Sequence, residues 1–109
     1  KTTLRFEKSA KKLIKRYRSL KSDIAKLIAS LESNPIQGVE LTPGLRKIRM
    51  SIESKGRGQS GGARVITYML LSAETNGKVY LIDIYDKSDF STVDVDLIKK
   101  YLNDLETGQ

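Results

Sequence analysis

The chain of 109 residues contains no histidine and no cysteine. The double absence removes nucleophilic triads built on those residues, the histidine acid/base pair of many ribonucleases, and zinc sites of the Cys/His type. Tryptophan is also missing, and only two prolines interrupt the chain. No apolar run approaches the roughly 20 residues that span a bilayer. Charges enter every turn of residues 1 to 17, so nothing there reads as a secretory signal, and a cytoplasmic location is expected. Acidic residues are scarce early in the chain: residues 1 to 21 carry Glu7 alone against nine bases, and residues 45 to 64 carry Glu53 alone against six. After residue 70 the balance reverses. The net charge of +7 is therefore expected to form a basic face, which suits a polyanionic partner.

Length bounds the architecture to one domain over 1–109 with a modest core. Residues 3 to 7 read as a short edge strand. Ala10, Leu13, Ile14 and Tyr17 then repeat at i, i+3, i+4 and i+7, the spacing of an amphipathic helix with lysines on its opposite side. A second helix is expected from Ser22 as cap, through Ile24, Leu27, Ile28 and Leu31, to a stop at Asn34-Pro35. Gly38 and Pro43-Gly44 mark a loop. Ile48, Met50 and Ile52 alternate with Lys47, Arg49 and Ser51, which predicts a half-buried strand presenting both cations on one face. Residues 54 to 62 are too rich in glycine for regular structure. Arg64 to Leu71 and Val79 to Tyr85 read as antiparallel strands joined through Thr75-Asn76-Gly77. Ser91 or Thr92 would cap a last helix with Asp94 in its first turn and Ile98, Tyr101, Leu102 and Leu105 on its apolar face. The sum is an α+β domain: a small antiparallel sheet with an N-terminal helical hairpin and a C-terminal helix packed on it.

Gly56-Arg57-Gly58-Gln59-Ser60-Gly61 fits the spacing of a dinucleotide-binding turn, but a strand follows where that fold requires a helix. The alternative is a glycine-rich connection whose Lys55 and Arg57 can approach a phosphate backbone closely. Asp83, Asp86 and Asp89 lack a spacing that demands a metal, so capping and solvated roles are expected for them and no metal or cofactor is implied.

The stretches GLRKIRMSIESKGRGQSGGARVITY (44–68) and VYLIDIYDKSD (79–89) resemble the RelE/HigB family of type II toxin-antitoxin toxins, in particular the HigB-like branch. The resemblance covers nearly the whole chain. It implies a metal-independent endoribonuclease that cleaves mRNA in the ribosomal A site and inhibits translation. It also implies a cognate antitoxin, expected to carry a DNA-binding helix-turn-helix domain. By the same resemblance, Lys47 and Arg49 match the family's basic active-site strand, Arg64 the arginine of the next strand, and Lys87 the basic residue after the last one. Arg46, Lys55 and Arg57 are expected to contact RNA. Some relatives place a catalytic tyrosine near the C-terminus, where this chain reads Phe90-Ser91-Thr92-Val93; Tyr85 and Tyr68 are the candidates to replace it, the alternative for a tyrosine in a strand being a core or base-stacking role.

RNA can be cut by its own 2′-OH if a base takes that proton, cations stabilise the phosphorane and an acid protonates the departing oxygen. Crowding of cations lowers the proton affinity of a lysine. Lys47 is accordingly the candidate base, Arg49 and Arg64 the stabilisers and Lys87 the candidate acid, with the base and acid labels exchangeable. Two other readings stay open at this point: a gyrase-inhibiting ParE-like toxin, which does not need the basic set, and a non-catalytic RNA-binding module.

Overall fold

A computed structural model describes residues 2–56, 58, 61–69, 78–89 and 94–106, with side chains to 103 in the last helix. The first element is helix α1, Leu4–Arg16, and not a strand. Thr3 decides this: its hydroxyl accepts the Phe6 amide at 3.2 Å as an N-cap and donates to the Leu81 carbonyl at 2.9 Å. All that remains of the expected edge strand is one parallel bridge, Thr2 to Leu81. Leu4 is 65% exposed and Phe6 is buried, as a helix turn requires.

Helix α2, Leu20–Ser33, begins two residues before its expected cap. Ser22 lies inside it, while the Ser19 hydroxyl binds Asp23 at 2.8 Å and Ser54 at 2.9 Å. The loop expected from Gly38 to Gly44 contains a strand, β1, Val39–Thr42. It turns through Pro43-Gly44 into β2, Leu45–Met50. Gly38 makes the turn into β1 possible: its φ is +80°, and a Cβ there would sit 2.2 Å from the Lys47 carbonyl oxygen. After a single 3-10 turn, Glu53–Lys55, come β3, Ala63–Met69, and β4, Val79–Asp86. Helix α3, Val95–Glu106, closes the order. Asp94 caps it, accepting the Leu97 amide at 3.1 Å, where a first-turn position was expected. The other proposed caps, Ser91 and Thr92, and the Thr75-Asn76-Gly77 connection lie outside the described residues.

The four strands run β1-β2-β3-β4, each antiparallel to its neighbour. Alternation sends Ile48, Met50, Ala63, Val65 and Ile84 to one face, where Phe6, Ala10, Leu13, Leu20, Ile24, Leu27 and Leu31 of the helical hairpin cover them. Leu45, Ile66, Ile82 and Tyr85 form a smaller cluster with Ile98 and Leu102 of α3 on the other face. That α+β architecture agrees with the sequence expectation. Among the described residues, no helix is long and apolar enough to cross a membrane.

Candidate active site and nucleic-acid interface

Register builds the site. Arg49 of β2 faces Arg64 of β3, and Arg64 faces Tyr85 of β4, so three side chains form one row across three adjacent strands. Directly opposed residues share a sheet face, and this face is the one partly covered by α3. Lys47 stands one step along β2 from the row, opposite Ile66. Lys87 stands one step to the other side, because its amide continues the ladder to the Gly62 carbonyl at 3.0 Å. Strand spacing of about 4.8 Å and rise of about 3.3 Å put the Cα atoms of Lys47 and Lys87 roughly 16 Å apart. Two extended lysine side chains and a phosphodiester can fill that span, with the row between them.

Burial differs along the row. Arg49 is exposed, whereas Arg64 is 4% and Tyr85 8% exposed. Lys47 and Lys87 are half-buried. Arg64 donates from Nη1 to the Ala63 carbonyl at 3.2 Å, which holds the guanidinium close to its own strand. Burial raises the proton affinity of the Tyr85 phenol; the Arg64 charge opposes that shift and Asp83 adds to it. The phenol therefore stays protonated at neutral pH and is suited to donating a hydrogen bond, not to acting as a base.

Behind the same end of the sheet, on the hairpin face, lies a residue whose importance the sequence did not signal. Asp86, expected to be a cap or solvated, is fully buried. Its carboxylate receives Lys55 Nζ at 2.7 Å, Arg16 Nη2 at 3.3 Å, the Ser88 amide at 3.0 Å and the Ser88 hydroxyl at 2.7 Å. The Tyr17 hydroxyl also donates to it. Burial alone would raise the Asp86 carboxyl, but the hydrogen bonds from Lys55, Tyr17 and Ser88 outweigh it and hold the group well below the usual carboxylate range. Those bonds fix the turn on which Lys87 sits, and the Asp89 amide returns to the Asp86 carbonyl at 3.0 Å. Asp83 is held by Ser9 at 2.6 Å and Arg5 at 3.1 Å, and Asp89 by Arg16 at 2.7 Å. The three aspartates thus bind the protein's own donors.

The expected site residues separate into two groups. Lys47, Arg49, Arg64 and Tyr85 share one face of the sheet, and Lys87 follows them in the turn at the end of β4. Arg46 points to the opposite face, where it binds the Gln37 carbonyl at 3.1 Å and Glu40 at 3.7 Å, fastening the turn into β1. Lys55 is taken up by Asp86 with its side chain 13% exposed. Both are engaged by the protein's own acceptors, and Arg57 lies outside the described residues. Tyr68 packs with the α3 cluster. The basic surface is likewise two surfaces. Lys8, Lys11, Lys12 and Lys15 are exposed on α1, which packs on the hairpin face and so carries them on the side away from the row. The chain matches no known protein-family model.

Proposed function

We propose that this protein is a metal-independent endoribonuclease of the RelE/HigB toxin kind, cutting mRNA at the ribosome. The observation that carries the reading is the row Arg49, Arg64, Tyr85 with a lysine one step to either side. An in-line displacement at phosphorus needs its proton acceptor and donor on opposite sides of the phosphate and positive charge between them. In this reading Lys47 takes one side, Lys87 the other, and the arginines the middle.

In the proposed reaction the 2′-oxygen attacks the adjacent phosphorus, and its proton passes to Lys47. Arg49 and Arg64 stabilise the charge on the phosphorane oxygens. The bond from phosphorus to O5′ breaks as Lys87 supplies a proton to the leaving oxygen, giving a 2′,3′-cyclic phosphate and a 5′-hydroxyl. Tyr85, as a neutral donor, binds a non-bridging oxygen or stacks beneath a base. The ribosome as setting, and an antitoxin as partner, rest on the resemblance of the GLRKIR, SKGRGQSGGAR and IYDK segments.

The test is to add the purified protein to an mRNA with and without translating ribosomes and to map new ends by primer extension. Cuts that require both ribosomes and Arg64 support the reading. An intact message under both conditions sinks it and favours the gyrase-directed or binding-only alternatives.

A further inference from the structure

Lys87 gives the departing oxygen its proton in the proposed reaction, yet it stands one residue beyond β4, in a turn. Strand pairing fixes Arg49, Arg64 and Tyr85 relative to one another. Lys87 needs other holds. The turn first closes on itself: the Asp89 amide reaches the Asp86 carbonyl at 3.0 Å, and Asp86 Oδ1 accepts the Ser88 amide at 3.0 Å and the Ser88 hydroxyl at 2.7 Å. An aspartate at the start of a turn makes such local bonds readily. They shape the turn but do not locate it relative to β2, which carries Lys47 and Arg49.

Two longer connections do. The Lys87 amide donates to the Gly62 carbonyl at 3.0 Å, and Gly62 packs on the end of β2 so closely that a Cβ would lie 2.2 Å from the Met50 carbonyl oxygen. The second connection is Lys55. Its 3-10 turn, Glu53–Lys55, follows β2 and is held by the Lys55 amide on the Ile52 carbonyl at 2.9 Å. From there Nζ reaches Asp86 Oδ1 at 2.7 Å and Ser88 Oγ at 3.4 Å. The ammonium thus bonds the residues on both sides of Lys87. Asp86 Oδ2 is taken by Tyr17 and Arg16 of the α1 end, so among the described residues Lys55 is the donor that reaches Oδ1 from outside the turn. With its side chain 13% exposed, Lys55 presents little of itself to a phosphate.

We infer that Lys55, acting through Asp86, is a positioning residue for Lys87. It sets the separation of the proton donor from the β2 cations and does not itself bind RNA. The inference rests on the nuclease reading, which gives Lys87 its task. Rate is sensitive at this scale, because a displacement of about 1 Å passed on from a remote residue can cost about a hundredfold. Without the ammonium, the turn keeps its own bonds but loses its side-chain link to the segment that follows β2.

The test measures single-turnover cleavage of ribosome-bound message, RNA affinity as a function of salt, and the urea midpoint. The proteins are wild type, Lys55→Met, Lys55→Arg, Asp86→Asn and the Lys55→Met, Asp86→Asn double variant. Lys55→Met should cleave about ten- to a hundredfold more slowly, with RNA affinity and its salt dependence unchanged. Lys55→Arg keeps a cation that can bond the carboxylate and should recover most of the rate. In the Asp86→Asn background Lys55→Met should add little further loss, because Lys55 works through that carboxylate.

A lowered urea midpoint with an unchanged cleavage rate would make Lys55 a structural residue only and overturn the inference. Weakened affinity with a salt slope smaller by about 0.7, the mark of one lost phosphate contact on a single strand, would overturn it in favour of RNA binding. Rate losses that multiply in the double variant would overturn the route through Asp86. If Lys55→Met does not fold, the other two single variants decide: Asp86→Asn must lose rate without losing affinity, and Lys55→Arg must not lose it to the same degree. Cleavage by wild type with the full rate kept by Lys55→Met counts against the inference alone, whereas a message left intact by wild type overturns the nuclease reading and the inference with it.

Discussion

Two groups of cations at the same end of the sheet are used in opposite ways. On the hairpin face, Lys55 and Arg16 converge on Asp86, and Arg16 also binds Asp89. Hydrogen bonding to Asp89, reinforced by that residue's negative charge, raises the Arg16 proton affinity further. The charge there is cancelled and holds the end of α1, the 3-10 turn and the end of β4 together. On the α3 face, Lys47, Arg49 and Arg64 share the sheet surface with Tyr85, and Lys87 follows at the end of β4. Among the described residues, none of Lys47, Arg49 and Lys87 enters an ion pair. The first group is spent on holding the fold, and the second is positioned by the fold. A count of lysines and arginines does not separate them; the acid each one can reach does.

The largest expected effect falls on the neutralised face. Removing one partner of a buried ion-pair network leaves the other charges uncompensated, so Asp86→Ala should cost about 3–5 kcal/mol, read as a lowered urea midpoint. Because the folded Asp86 carboxyl lies below its unfolded value, its contribution is fully present above the ordinary carboxylate range. It is lost as pH falls through that range towards the folded value. Wild type should therefore lose stability between about pH 4 and pH 2, and Asp86→Asn should lose less over that window. Equal losses would show that the carboxylate does not hold this end of the molecule.

On the other face the effect should appear in rate before stability. Arg64 is buried, so truncation to Ala disturbs packing as well as charge, and Arg64→Lys is the cleaner probe. Losing its forked donors should lower single-turnover cleavage about a hundredfold. Tyr85→Phe removes one hydrogen-bond donor and should cost about tenfold, equivalent to roughly 1.4 kcal/mol. A Tyr85→Phe variant of unchanged rate would assign the ring to stacking or packing alone. The smallest change belongs to α1: Lys11→Ser with Lys15→Ser should weaken RNA binding a few-fold and flatten its salt dependence, without altering the rate at saturation.

Much of this arrangement was legible in the residues, for definable reasons. The three helices and strands β2 to β4 carry periodic patterns long enough to identify, and the alternation of Lys47 and Arg49 with Ile48 and Met50 placed both cations on one face. β1 has only the four residues VELT, half of them exposed, too short for period two to register. Residues 3 to 7 alternate as a strand would, but the Thr3 cap and its bond to Leu81 are a local and a distant contact that no pattern carries. The fates of Arg46 and Lys55 depended on the backbone turn at Gly38 and on an aspartate 31 positions away from Lys55. Asp86 itself looked like any surface acid, since its partners come from Arg16, Tyr17, Lys55 and Ser88 and only the fold assembles them.

The most direct measurement is a pair of quantities, RNA affinity and single-turnover cleavage rate on ribosome-bound message, taken for Arg64→Lys and for the Lys11→Ser, Lys15→Ser variant side by side. The account predicts a split: Arg64→Lys lowers the rate about a hundredfold with affinity nearly intact, and the α1 variant lowers affinity with the rate intact. If both variants weaken affinity alone and by similar factors, the sheet-face cations only hold RNA, and the assignment of a cleavage site to the Arg49, Arg64 and Tyr85 row is contradicted.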